Sequence, residues 1–519
     1  MIFIQPAAHM VCCIEFMLQR NKAITERRVD REMKSMSLKV VMGLVVILVV
    51  AGGSYLQINF NKDWREQYAY AKGVNAMIYA FPYQLNTVLR YKWSQPKGPE
   101  GYQGPVDAVN KFWHSSFIDP KHYRDGGAPN ADTLYSPAWV YAKEQPIIIS
   151  VPPIPGDRYF SIELAGFDSD NFSYIGKRTH GNGGGNYAIV PQDWEGTLPD
   201  DVEFVAHNPT PWFYAMARIY SDFNDPSDHA QVAAIQSQMQ IVALSDWGKD
   251  NPPRPPHPPV PDVGELSEML LETDVVDYIK KMVISDPLSF WHNVNRAMTA
   301  NGVPERDRRY LKDWADLHIG PNQNIYQADD SARAGLAAAV FDGTMILRDY
   351  STPEERKVNG WGVPPLGFGR SGVHGDFYFR AAIQSMRGIV ANDAEEAMYM
   401  GVTQDQHGDE INSSNTYEIH FEPGQTPPAK YFWSLTIYDQ DGNLMLNPYD
   451  RYAISSHAKD LTYEADGSLR IFIGGTPPEG KVGNWLPAGE EKTRVTLRAY
   501  GPEKAMLERT WQPPAVKRL

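Results

Sequence analysis

"ISVPPIPGDRYFSIELAGFDSDNF" (149–172) is the stretch on which the fold turns. An apolar strand end meets a Pro/Gly turn, Arg158 precedes Tyr159-Phe160, apolar and polar positions then alternate, and an Asp-rich turn follows. Period-two alternation between such punctuation marks is the pattern of a β-strand. The layout returns in "IHFEPGQTPPAKYFWSLTIYDQDGNL" (419–444), where Tyr431, Trp433, Leu435 and Ile437 alternate with Phe432, Ser434 and Thr436. Asp441-Gly442 then supplies a hairpin turn. "EADGSLRIFIGG" (464–475) repeats the device, and "TRVTLRAYGP" (493–502) is a last alternating strand. Asn130–Tyr135 also has a partial echo in Asn415-Thr416-Tyr417. The reading is two related antiparallel β-sandwich domains.

Working outward, "PIIISVPP" (146–153), "NYAIV" (186–190) and "WFYAMARIY" (212–220) read as further short strands. "DWREQYAYAKGVNAMIYAFPYQLNTVLRYKW" (63–93) reads as helix, with Tyr68, Ala71, Val74, Ile78 and Phe81 at three- and four-residue spacing and Pro82 ending that run. "NPPRPPHPPVP" (251–261) predicts an extended, polyproline-type linker. Helical segments follow at 266–283, 287–301, 329–350 and 375–390. The predicted fold class is mainly β with a helical insert (α+β). Its division is an N-terminal extension with a signal or anchor segment (1–56), an opening helix and sandwich (57–225), a Pro-rich linker and helical region (226–400), and a second sandwich (401–519).

A chain of 519 residues exceeds a single hydrophobic core, so several domains are expected. The net charge of −14 leaves no basic surplus for a phosphate backbone, which argues against a nucleic-acid partner. Arg27, Arg28, Arg31, Lys34 and Lys39 precede an uncharged run from Val40 to Gly53. Those fourteen residues suit a signal-peptide core better than a full span, which needs about twenty. Left uncleaved, residues 38–56 would be an inner-membrane anchor, with the remainder exported to the periplasm or cell envelope. The preceding residues are unusual for a signal and point to a start at Met33 or Met36. Both cysteines, Cys12 and Cys13, lie before the run. The exported part therefore lacks thiol nucleophiles, thiolate metal sites and disulfides.

"PNADTLYSPAWV" (129–140), "GDRYFSIELAGFDSDNFSYIGKRTHGNGGGNYAIV" (156–190) and "NPYDRYAISSHAKDLTYEADGSLRIFI" (447–473), followed by "NWLPAG" (484–489) and the segment from Val495 to Leu519, occur in that order. These motifs resemble a widespread bacterial pair of domains of unknown function, families 1254 and 1214, over roughly residues 65–200 and 400–510. The resemblance implies two jelly-roll-like sandwiches with helices between them, commonly exported, and no established activity. Where the family usually has two Asn before Asp-Thr-Leu-Tyr, this chain has Asn130-Ala131.

Three groups form the candidate catalytic set: Asp132, Arg178 and His180. Asn130 and Asp132 after Pro129 fit an Asx turn that starts a strand. Arg178 and His180 stand in "RTHGNGGGNY" (178–187), read as the tip of a glycine-rich hairpin. Arg clamps carboxylates and His transfers protons near neutral pH, so Asp132 facing both would make an acid–base site where sandwich loops converge. The competing reading is a mobile hairpin and a turn. Asn130, Tyr135, Asp168 and Arg380 are candidate ligand-binding residues, Arg380 equally well as the partner of an acid. No metal ligand set is assigned and no cofactor is evident. "DQDGN" (439–443) would suit a divalent cation such as calcium, but strand flanks it and its glycine is misplaced, so a turn explains it better. "TQDQHGDEIN" (403–412) likewise reads as a solvated loop. Two classes of function stay open: an envelope hydrolase or lyase acting on a small polar or glycan-like molecule in a cleft of the first sandwich, or a non-catalytic module binding a ligand or partner.

Overall fold

The computed structural model describes residues 63–519 except 101, 118, 123–127, 224, 264–269, 271–273, 351–355 and 389–390. The chain divides into Met1–Gln67 and Tyr68–Leu519, and the description below concerns the second unit. The apolar run from Val40 to Gly53, with its signal or anchor reading, lies outside the described residues, as do 266–269 and 271–273 of the expected helix at 266–283, which is helical from Val275 on. Among the described residues, no helix is long and apolar enough to cross a membrane.

Helix α1 (Trp64–Ser94) begins amphipathic, but every residue from Ala76 to Arg90 is buried. A helix covered on all sides is a central element, not a surface one. Pro82 does not end it as the spacing predicts; it sits inside the helix. Proline removes one intrahelical bond, and burial of Tyr79, Phe81, Tyr83 and Leu85 around it outweighs that loss.

The first sandwich pairs a sheet of order β1-β7-β3-β4 with one of order β6-β5-β2-β8. The first sheet comprises β1 (Thr133–Tyr141), β7 (Trp212–Tyr220), β3 (Phe160–Gly166) and β4 (Asn171–Gly176); the second comprises β6 (Glu203–His207), β5 (Gly185–Val190), β2 (Ile147–Val151) and β8 (Gln240–Ala243). Alternation drives Ile147, Ile149, Phe160, Ile162, Leu164, Phe213 and Ala215 into the core between the sheets. All pairings are antiparallel except β5 with β6. The expected glycine-rich hairpin tip is instead one helical turn, α2 (Lys177–His180), and of the glycines after it Gly184 lies against the β2–β3 connection. At Gly184 (φ 73°) a side chain would strike the Pro153 nitrogen at 2.6 Å. Helix α3 (Pro226–Gln236), capped by Asp225, leads into β8. The Pro-rich segment is irregular and held in place: Arg254 donates to the Val109 carbonyl and Asn110 to that of Pro255.

Helices α4 (Val275–Ser285), α5 (Pro287–Asn301), α6 (Arg308–Trp314) and α7 (Asp330–Asp349) surround α1. Asp274, Asp286 and Asp329 cap α4, α5 and α7 by accepting backbone N–H groups. The short α8 (Phe377–Phe379) continues as a π-helical turn, Arg380–Arg387. The second sandwich has one sheet of order β14-β13-β17-β11-β10-β9 and one of order β16-β15-β12-β18. The first contains β9 (Lys357–Val358), β10 (Trp361–Gly362), β11 (Ala397–Val402), β13 (Ala429–Tyr438), β14 (Ala453–Ser455) and β17 (Arg494–Pro502). The second contains β12 (Tyr417–Phe421), β15 (Leu469–Gly474), β16 (Trp485–Pro487) and β18 (Lys517–Arg518).

Strand for strand, β1–β8 and β11–β18 pair in the same order, including one parallel pair each, β5 with β6 and β15 with β16. The two halves are one topology used twice. Their Tyr-Phe dipeptides do not correspond, however. A bulge between Ala429 and Phe432 shifts β13 by one residue, so the core position of Phe160 is taken by Trp433 and that of Tyr159 by Phe432.

Gly73 marks the crossing of α1 and α7, where an added Cβ would come within 2.8 Å of the Ala339 Cβ. Gly73→Ala gains about 1 kcal/mol of helix propensity but overpacks a rigid contact worth roughly 1–3 kcal/mol. The expected net result is a lower urea midpoint; a higher one would mean the crossing has slack.

Candidate functional site

The sheets β1-β7-β3-β4 and β14-β13-β17-β11 turn their outer faces toward each other, and those faces carry the same cross-strand row. Arg218 on β7 is flanked by Tyr135 and Ser161; Arg498 on β17 is flanked by Tyr399 and Ser434. Contacts across the gap are reciprocal. Tyr220 meets Phe432 at 4.8 Å between ring centres and Tyr500 meets Tyr159 at 5.1 Å. Ser434 donates to Asp132 (2.6 Å) and Tyr159 to Glu396 (2.7 Å), the two acids just ahead of β1 and β11. Arg218 donates to the Asn392 side chain and Arg498 to the Ala128 carbonyl, each four residues before one of those acids. A local two-fold axis therefore relates the halves, and the faces that meet mix buried arginines and acids with the aromatic cluster of Tyr159, Tyr431, Phe432 and Tyr500.

Glu163 neutralises Arg218 at 2.6 Å, and both are buried. Burial works against the Arg218 cation, but Glu163 and the neighbouring phenols carry its pKa well above the ordinary value. Burial raises the Asp132 carboxyl, opposed by Arg498 and the Ser434 hydroxyl. The Tyr399 hydroxyl is pushed up to about 12 by burial, with Arg218 pulling the other way. Asn130 does two jobs. Its Oδ1 accepts the Asp132 and Thr133 N–H groups, the expected Asx turn, while its Nδ2 donates to the hydroxyls of Tyr135 (2.7 Å) and Tyr500 (3.3 Å). The buried oxygens on these faces without a partner include Glu163 Oε1, Tyr214 Oη and Thr496 Oγ1. Beside them Tyr135, Met216 and Tyr399 are only half-buried. Polar groups left bare in an interior are costly, so each marks a place where something else can bind.

A second cluster forms where the β3–β4 turn meets the helices. Asp168 and Asp170 are buried side by side, and Arg306, 36% exposed, donates to both (3.1 and 2.8 Å). Arg380, fully buried, lies 3.6 and 3.4 Å from the same carboxylates, and the Gly372 N–H donates to Asp170. Burial and then the Asp168 charge raise the Asp170 pKa to about 6. A cavity of about 70 Å³ opens beside the pair, lined among others by Tyr79, Arg306, Tyr310, Phe377 and Arg380.

The structure thus unites Asn130 with Tyr135 and Asp168 with Arg380. It does not unite Asp132, Arg178 and His180. Asp132 precedes β1 and Arg178 follows β4, the opposite edges of one sheet, with β7 and β3 between them. Arg178 pairs with Glu396 at 2.6 Å and lies over the Tyr174 ring. His180 faces the second sheet, with Thr179 on its Nδ1 and Tyr187 against its ring, and burial lowers its pKa. In "DQDGN" the Asp439 carboxylate accepts the N–H groups of Asp441 and Asn443. Asp405, in the loop at 403–412, pairs with Arg518. Among the described residues no group of three or more His, Cys, Asp or Glu is placed to hold a metal ion.

Residues 109–243 match the family model described as "Protein of unknown function (DUF1254)", and residues 396–504 match "Protein of unknown function (DUF1214)". The first match starts and ends later than the resemblance implies, closing at the last residue of β8. Among solved structures the chain is similar to the VPA0106 protein from Vibrio parahaemolyticus, at TM-score 0.61 and 21% identity over 86% of this chain and 100% of that one. That likeness is one of fold. An uncharacterised protein from Burkholderia cenocepacia aligns at TM-score 0.41 and 12% identity, over 91% of this chain and 97% of that one. No curated protein matches the chain.

Two measurements probe these clusters. Glu163→Met strands the Arg218 guanidinium and should cost about 3–5 kcal/mol, most of it recovered in Glu163→Met/Arg218→Met; simply additive losses in urea unfolding would show that the two are uncoupled. Asp170, near 6 when folded against 3.8 when free, keeps its proton longer in the folded chain. Stability should therefore fall as pH rises from about 4 to 6, by on the order of 3 kcal/mol. Asp170→Asn should flatten that segment of the stability–pH curve, and an unchanged slope would assign it elsewhere.

Proposed function

We propose that the protein is an exported ligand-binding module that encloses a small, neutral, polyhydroxylated molecule between its two sandwich halves. The observation that carries this reading is the trio of unpartnered buried oxygens on Glu163, Tyr214 and Thr496, next to the half-buried rings of Tyr135 and Tyr399. A carboxylate oxygen only accepts, whereas the two hydroxyls both donate and accept. A sugar-like ligand, whose hydroxyls do both, fits that set. Charge argues the same way, since Glu163 already balances Arg218 and Asp132 stands near Arg498. Satisfying three bare groups is worth roughly 1–3 kcal/mol each, against an association cost of about 4–15 kcal/mol. Modest affinity is expected. The basic flank and apolar run before residue 54 support export.

The Asp168–Asp170 pair supports a second reading, acid–base chemistry at the neighbouring cavity, which the pair reaches through Arg306 and Arg380 on its wall, because burial and the Asp168 charge raise the Asp170 carboxyl to about 6.

A thermal-shift screen of the full chain against mono- and disaccharides, polyols and dicarboxylates separates these readings. A sugar or polyol at a hundredfold its Kd should stabilise by about 2.7 kcal/mol, and Tyr214→Phe/Thr496→Val should lose the effect. Stabilisation by dicarboxylates alone, or a sugar effect that survives in the double variant, would sink the proposal.

A further inference from the structure

Arg90, near the end of α1, is only 4% exposed. Its guanidinium lies over two aromatic rings, Phe167 at 4.8 Å and Trp212 at 4.5 Å. Its Nε and Nη1 are buried and have no hydrogen-bond partner. The charged group that acts on it is another cation, Arg296 on α5. The other deeply buried arginines each have a carboxylate or another acceptor, although Arg380 Nε is itself bare. Arg218 has Glu163, Arg380 has Asp168 and Asp170, and Arg498 donates to Thr436, Tyr438 and the Ala128 carbonyl.

Ring faces soften the desolvation of a guanidinium but take none of its N–H groups. Burial, with Arg296 adding like charge, pulls the Arg90 pKa down to about 9, so the cation persists at neutral pH. Trp139 adds a donor: its ring packs against Phe167 at 5.4 Å, and its Nε1, also buried, is unpartnered. Around one phenylalanine ring the chain thus assembles three bare N–H donors, with a second cation nearby, Arg296, that Asp262 partly balances. A bare donor set of net positive charge calls for an acceptor that brings negative charge.

We infer that Arg90 anchors an oxyanion-binding site, in which the Arg90 guanidinium and the Trp139 indole N–H hold a carboxylate or phosphate group and Arg296 adds long-range attraction. The site borders the one proposed between the sandwiches, since Trp139 packs on Tyr214 at 5.5 Å, and its occupant differs in charge from the neutral ligand proposed there.

The test is a titration of the full chain with acetate, benzoate and inorganic phosphate against chloride at constant ionic strength and pH 7, read as melting temperature and by calorimetry. At least one oxyanion should raise the melting temperature above that in chloride, and the arms tell a carboxylate site from a phosphate site. Arg90→Met should abolish the difference. In chloride it should melt at or above the wild type, because an unpaired buried charge has gone. Trp139→Phe removes one donor while keeping an aromatic ring, and should weaken binding several-fold. Identical responses of wild type and Arg90→Met to every anion would overturn the inference. So would an Arg90→Met chain that melts far below wild type in chloride or fails to fold, since Arg90 would then be a packing element held by its two rings.

Discussion

Two arginines, Arg218 and Arg498, are buried at equivalent places on sheets that face each other, and neither can lose its charge. Water cannot solvate them there, so their surroundings must. Glu163 answers Arg218 from the neighbouring strand of its own sheet; Thr436, Tyr438 and the Ala128 carbonyl take the N–H groups of Arg498. The Ala128 carbonyl comes from the other half of the chain, as does the Asn392 side chain that accepts from Arg218. Ordering those contacts fixes how the two sandwiches meet. The tyrosines around them, chiefly Tyr135, Tyr399 and Tyr500, supply surface that is apolar in the ring and polar at the tip, which suits a dry but hydrogen-bonded interface.

The repeat explains much of what the sequence made legible. Alternation over 429–438, the Pro/Gly turn before it and the Asp-Gly turn after it are local signals, and they correspond to a strand and turn in the structure. "WFYAMARIY" and "PLSFWHNVNRAMTAN" coincide with β7 and α5 to the residue. Pro82 was misleading because a local rule met a non-local force: α1 continues through it under burial from every side. The glycines of 181–185 read as a mobile tip, yet Gly184 lies against the β2–β3 backbone and Asn182 accepts from Ile154 there, contacts that residue types alone do not announce.

The sites divide along the same line. Asn130 and Tyr135 are five residues apart, and their contact follows from a turn running into a strand. Asp168 was visible as part of an acidic turn, but its partner Arg306 lies in a segment with no motif to flag it. Arg218 and Arg498 looked like polar positions of alternating strands, the same pattern as a solvated face. Only the register between strands distant in sequence puts Tyr135 and Ser161 beside one, and Tyr399 and Ser434 beside the other. Arg90 carries even less local signal, one basic residue near the end of a long helix.

The central burial of α1 bears on how the chain is made. Within the unit Tyr68–Leu519 this helix is the first element to be synthesised, yet its neighbours in the core extend to Ala381 and Ala382. Some three hundred residues must follow before the 76–90 stretch can be fully covered. Until then its apolar surface is open to solvent, and such surface is what recruits chaperones or seeds aggregation in slow-folding chains. The fold thus builds in a delay: contacts between distant parts of the chain must close a long loop before they stabilise anything. The helix that ends at the centre of the molecule starts as its most exposed liability.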